Sequence, residues 1–140
     1  AVTGGMPTVA ECGGFLYLGQ ALQGTDGQWY PMAGVLPGKA ERKEGLVRFG
    51  YARLAAEKES LLLRAGERVP VHEFHHWDST ENGVDLGVEK PLTGRTWRCG
   101  FTTDTLYAAF PHLYFAGHPA LAQRFVAAAR RYSAKKEKQT

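Results

Sequence analysis

Apolar positions fall into three textures along the chain: a β-branched run that turns into helical spacing near the start, short alternating runs through the middle, and one helical stripe at the end. Thr8 and Val9 favour extended backbone, whereas Phe15, Leu18 and Leu22 recur at three- and four-residue intervals. The spacing predicts a strand that gives way to a helix running through Leu22, with Cys12 on the tight turn between them. Gly24-Thr25-Asp26-Gly27 is a turn by composition. Trp29, Tyr30 and Met32 are candidates for a return strand, and Pro31 argues for an edge position because it lacks an N–H. Gly34 to Gly38 is a second turn-rich connection, and Lys39 to Gly45 is charged and exposed with no period that fixes its structure.

From Leu46 the alternation predicts a β-rich middle. On a strand, Val47, Phe49 and Tyr51 share one face and Arg48 takes the other. Leu54 to Leu63 suits a helix by composition, but its place between strand-like runs favours a hairpin around Glu57-Lys58-Glu59-Ser60. Val69 to Trp77 is the next strand, followed by a loop with an Asn82-Gly83 turn signal. Further strands are expected at Thr96 to Phe101 and Leu106 to Phe110. Pro119 can open a helix whose stripe is Leu121, Ala122, Phe125, Val126 and Ala129, with Arg130 and Arg131 towards its C-terminal end. The whole reads as α/β with a mixed sheet and flanking helices, in one unit over residues 1–140.

Composition narrows the class. The chain has 140 residues, 44% hydrophobic and 22% charged, with a formal net charge of +3, as in an ordinary globular domain. No run approaches the ~18 apolar residues of a membrane span, and the first residues lack a signal-peptide pattern. Two cysteines, Cys12 and Cys99, are too few for a disulfide scaffold. These features lead to the expectation of a cytoplasmic protein with no membrane and no nucleic-acid partner.

The candidate chemistry starts at Cys12. Gly13 and Gly14 permit an unusual backbone angle and a close substrate approach, as a nucleophile elbow requires. A thiol at a helix N-terminus is drawn towards thiolate. The competing reading is a small buried hydrophobe at a strand end. A nucleophilic cysteine needs a base, and histidine has a suitable pKa; His72, His75, His76, His112 and His118 compete for that role. The run His72-Glu73-Phe74-His75-His76-Trp77-Asp78 invites a metal reading, but on a strand its ligands split between two faces, so no metal site is assigned.

Pro7-Thr8-Val9-Ala10-Glu11-Cys12-Gly13-Gly14-Phe15-Leu16-Tyr17-Leu18, followed by Gly34-Val35-Leu36-Pro37-Gly38, Phe49-Gly50-Tyr51 and His72-Glu73-Phe74-His75, resembles the C-terminal glutamine amidotransferase domain of the cobyrinate a,c-diamide synthase family. The resemblance runs from about Pro7 to the final helix. It implies a class I amidotransferase-like fold, incomplete at the N-terminus. It also implies Cys12 as nucleophile on the glutamine amide, His112 as acid/base, and Gly13 as one oxyanion-hole N–H. His72, Glu73 and His75 are expected to form a wall or domain contact. Tyr114 stands where related amidotransferases place a triad glutamate, so the group that orients His112 is left unidentified.

The parent implied by the resemblance is an ATP- and glutamine-dependent amide ligase acting on the a and c carboxylates of cobyrinic acid in cobalamin biosynthesis. No cofactor is expected in this chain; ATP and Mg would act in a synthetase domain outside it, where the corrinoid would also bind. The isolated chain is expected to be inactive, and a homo-oligomer is compatible with the resemblance. Amidation of hydrogenobyrinate or nickel-sirohydrochlorin, and a non-catalytic amidotransferase-like binding module, are the rival readings.

Overall fold

The computed structural model describes residues 1–138. The first strand, β1 (Thr8–Glu11), leads through Cys12 into the short helix α1 (Gly13–Leu18). Strands β2 (Ala21–Gln23), β3 (Trp29–Pro31) and β4 (Lys39–Arg42) follow, then the long pair β5 (Arg48–Ala56) and β6 (Arg68–His75). Next come β7 (Trp77–Ser79), β8 (Leu86–Glu89), β9 (Thr96–Cys99), β10 (Phe101–Thr102), β11 (Leu106–Ala109) and β12 (His112–Leu113). The helix α2 (Pro119–Glu137) is the last element.

The strands form three sheets, ordered β1-β11-β10, β12-β6-β5-β8-β9 and β3-β2-β4-β7. β1 and β11 run parallel, with Glu11 opposite Ala109. β5 and β6 pair antiparallel from Arg48 opposite His75 to Ala55 opposite Arg68. The α/β class therefore holds, with the strands divided among three sheets. β3 is an edge strand, as Pro31 requires.

Strand β11 joins the two cores. Its four residues are all buried, because both of its faces are covered. Tyr107 and Ala109 point into a cluster with Leu54, Leu62, Val69, Leu86 and Leu121, while Leu106 and Ala108 enter a second cluster with Phe15, Leu16 and Leu18. An uninterrupted apolar run suits a strand buried on both sides. The Tyr107 hydroxyl, fully buried, donates to the Pro111 carbonyl at 3.2 Å and ties down the chain just before His112.

Several expected elements are displaced. α1 ends at Leu18, and Leu22 lies instead on β2 opposite Tyr30. The charged segment after Gly38 contains β4, which is stabilised by partners on both sides, β2 and β7. Between β5 and β6 the reversal spans 57–67, and Leu61, Leu62 and Leu63 are buried in it without joining a strand. On β5 the exposed face carries Phe49 and Tyr51, while Ala52, Leu54 and Ala56 face the core.

The last helix is rotated relative to the expected stripe. Leu121 and Ala128 are buried and Phe125 packs against the core, whereas Ala122, Val126 and Ala129 face outward. Arg124 lies towards the same side, and its guanidinium donates to the Leu62 carbonyl at 2.7 Å and to Glu67 at 2.6 Å. Arg130 and Arg131 fall within the helix, and Lys135 and Lys136 occupy its last turn. Gly83 and Gly100 form an isolated bridge so close that a Cβ on Gly83 would lie 2.2 Å from the Gly100 carbonyl oxygen.

Candidate active site

Cys12 carries the unusual backbone. Its φ of 48° and ψ of −107° make it the sole non-glycine residue with positive φ among the described residues. Such a conformation costs of order 1–3 kcal/mol and persists where surrounding bonds enforce it. Here the Cys12 N–H donates to the Ala109 carbonyl at 3.0 Å, and its carbonyl accepts the Leu16 N–H at 3.0 Å. Strand pairing on one side and the first helical turn on the other thus clamp the elbow. The strain falls on the cysteine itself, whereas Gly13 and Gly14 keep negative φ. A Cβ on Gly13 would meet nothing within 4 Å, which leaves open space beside the thiol.

The thiol is half-buried, and its hydrogen bond runs to the Phe74 carbonyl at 3.9 Å. Burial pushes its pKa up, the Gly13 N–H pulls it down, and the charges of Glu73 and Glu11 add to the rise. This corrects the expectation of a thiolate favoured by the helix end. Six residues of helix give a weak dipole, and desolvation of the anion outweighs it. A proton acceptor is therefore needed before the sulfur can attack.

His112 lies on β12, opposite His72 of β6, with its ring half-exposed. Its Nδ1 is 3.5 Å from Glu11 Oε2, and Glu11 Oε1 accepts the Leu113 N–H at 2.8 Å. One carboxylate thus links the residue before Cys12 to the strand carrying His112. The Cys12 sulfur bonds the Phe74 carbonyl rather than the His112 ring.

The other histidines have different surroundings. His75 is buried with both ring nitrogens engaged: Nε2 is 2.9 Å from Glu73 Oε2, and Nδ1 is 2.7 Å from the Trp77 carbonyl. Its ring stacks on Phe110 at a centroid distance of 3.8 Å. It has no free nitrogen to offer a substrate. Glu73 also accepts the Trp97 indole N–H at 3.2 Å. Period-two alternation on β6 puts Glu73 and His75 inside and leaves His72 on the outer face, where it meets Phe49 and Tyr51 edge-on. Of the expected wall or contact residues, Glu73 and His75 are thus buried, and His72 is the one on the outer face of β6. His118 occupies the N-cap position of α2 and makes no side-chain capping bond.

Among the described residues, no group of three or more His, Cys, Asp or Glu side chains is arranged to hold a metal ion, and no helix is long and apolar enough to cross a membrane. Two site features were missed in the sequence: the Phe74 carbonyl, which as a backbone group has no residue-type signal, and Glu11. The latter was visible as a carboxylate immediately before the cysteine.

An elbow cysteine on a strand-to-helix turn beside a histidine-bearing strand agrees with the family comparison. Residues 1–120 match the model for the CobB/CobQ-like glutamine amidotransferase domain, and the chain belongs to that family. Among curated relatives, a cobyrinate a,c-diamide synthase of Salmonella typhimurium is 37% identical over 131 residues, covering 91% of this chain and 28% of the relative. Another from Thermoplasma volcanium is 35% identical over 136 residues, covering 95% of this chain and 29% of its own length. A third, from Caldanaerobacter subterraneus, is 32% identical over 128 residues, with 90% and 28% covered. The chain therefore spans less than a third of the length of these relatives and corresponds to their C-terminal part.

Proposed function

We propose that this chain is the glutaminase part of an ATP- and glutamine-dependent ligase that amidates the a and c carboxylates of a cobyrinic-acid-type corrinoid. The observation that carries the reading is the strained elbow at Cys12, at φ 48°, clamped to the strand that precedes His112. The names of the relatives support the ligase and the corrinoid. ATP and Mg would act in the remainder of the full-length protein, activating each carboxylate for attack by ammonia.

In this reading glutamine enters the open space at Gly13. Cys12 Sγ attacks the side-chain amide carbon while its proton passes to His112. The resulting oxyanion takes the Gly13 N–H, a contribution worth about 3 kcal/mol for one such donor. Collapse of the intermediate breaks the C–N bond, His112 returns the proton to the leaving nitrogen, and ammonia departs. Water, deprotonated by His112, then hydrolyses the thioester to glutamate and restores the thiol.

The test is Cys12→Ala in the full-length protein. Glutamine-driven amidation should vanish while amidation driven by free ammonium persists, because carboxylate activation does not use Cys12. Equal loss with both nitrogen donors would overturn the assignment.

A further inference from the structure

We infer that Glu11 is the positioning residue of His112, an inference that rests on the reading of Cys12 and His112 as nucleophile and base. Glu11 is the last residue of β1, held in register opposite Ala109, and its side chain turns towards the segment that follows β11. Its two oxygens have separate tasks. Oε1 accepts the Leu113 N–H at 2.8 Å, which anchors the carboxylate to β12, and Oε2 faces His112 Nδ1 at 3.5 Å.

The geometry selects a tautomer. A carboxylate oxygen can only accept, so the Nδ1 edge facing it carries the proton and Nε2 is left with its lone pair as the basic nitrogen. At 3.5 Å the pair is an ion-pair contact rather than a hydrogen bond, and catalytic contacts that are loose without substrate tighten in the reacting complex. The same carboxylate also acts on the thiol. Negative charge at Glu11 opposes an isolated thiolate at Cys12, so the thiol proton needs an acceptor beside the sulfur.

This assigns to a residue beside the nucleophile the task that related sites give to a carboxylate following the histidine. Tyr114, two residues past His112, is exposed and has no carboxylate to offer. Among the described residues, Glu11 is the carboxylate in ion-pair range of the His112 ring.

The alternative is that Glu11 serves only to satisfy the Leu113 N–H. Glu11→Gln separates the two, since its amide oxygen can still accept that N–H while the negative charge is gone. In the full-length protein, glutamine hydrolysis by Glu11→Gln should show kcat lowered about ten- to a hundredfold with KM for glutamine little changed, the signature of lost transition-state support. Glu11→Ala should be impaired at least as much. Wild-type kcat in Glu11→Gln would reduce Glu11 to an anchor and overturn the inference, and this comparison stands even if Glu11→Ala fails to fold. Cys12→Ala and His112→Ala are measured alongside. Retained hydrolysis in either would locate the failure in the underlying dyad rather than in Glu11.

Discussion

Replacing Glu73 tests how β6 is held behind the Cys12 thiol. The carboxylate is 2% exposed, with Oε2 at 2.9 Å from His75 Nε2 and Oε1 accepting the Trp97 N–H at 3.2 Å. His75 Nδ1 lies 2.7 Å from the Trp77 carbonyl, an oxygen that can only accept, so Nδ1 bears a proton. Carboxylate oxygens also only accept, so a second proton lies between Nε2 and Oε2. Leucine at position 73 approximates the volume but strands the Trp97 N–H and the Nε2 edge of His75. At about 1–3 kcal/mol for each of the two groups left without a partner, Glu73→Leu costs about 2–6 kcal/mol.

Glutamine should behave differently. Its amide nitrogen can donate to the bare Nε2 of a neutral His75, its oxygen can still accept from Trp97, and the shared proton is no longer needed. Glu73→Gln should cost less than about 1 kcal/mol. The assay is amide hydrogen exchange of β5 and β6 against urea in the full-length protein, which reports this sheet without requiring two-state unfolding elsewhere. Phe74, whose carbonyl faces the Cys12 thiol, sits between the two buried residues. The leucine variant should therefore also lose glutamine hydrolysis while the glutamine variant retains it. Equal destabilisation by Gln and Leu would refute the proton accounting and make the charge itself the stabilising feature.

Cys99 and α2 supply two further tests. Burial holds the Cys99 thiol at about 12, above the unfolded value of roughly 8.5. Its raised folded pKa gives a contribution that is complete below the unfolded pKa and lost as pH climbs towards 12. Between pH 9 and 10 stability should fall by up to about 1 kcal/mol per pH unit, and by less in Cys99→Ala; an unchanged slope in urea midpoints would refute this. On α2, Leu121→Ala should cost about 2–5 kcal/mol because the side chain is fully buried, whereas Val126→Ala, on the exposed face, should stay within about 0.5 kcal/mol. Comparable losses at both positions would contradict the rotated stripe.

What was legible in the sequence depends on how far each residue's partner lies along the chain. The elbow is local: the shift from β-branched residues to helical spacing brackets Cys12, and the Ala109 and Leu16 bonds then hold it there. The buried strand at Leu106 to Ala109 is local too, because an unbroken apolar run admits few alternatives. The helix overran for a comparable reason. Leu22 fits the helical period, but extended backbone at Gly19 ends α1, and pairing with Tyr30 gives Leu22 a sheet partner that no window of a few residues contains. β4 reads as exposed charge because its strand character comes from β2 and β7 rather than from its own side chains. On α2, apolar counting favours Val126 and Ala129, whereas the buried face carries Leu121, Phe125 and Ala128, with Arg124 reaching back to the Leu62 carbonyl beside it. The site divides in the same way. Cys12 and Gly13 are adjacent in sequence and were found together, whereas Glu11 and Leu113 meet across 102 positions. That contact exists only because β1 pairs with β11, and the chain leaving β11 turns back at Pro111 into β12. A glutamate beside a cysteine has no fixed meaning until the fold supplies its partner, and here the partner is the strand that carries His112.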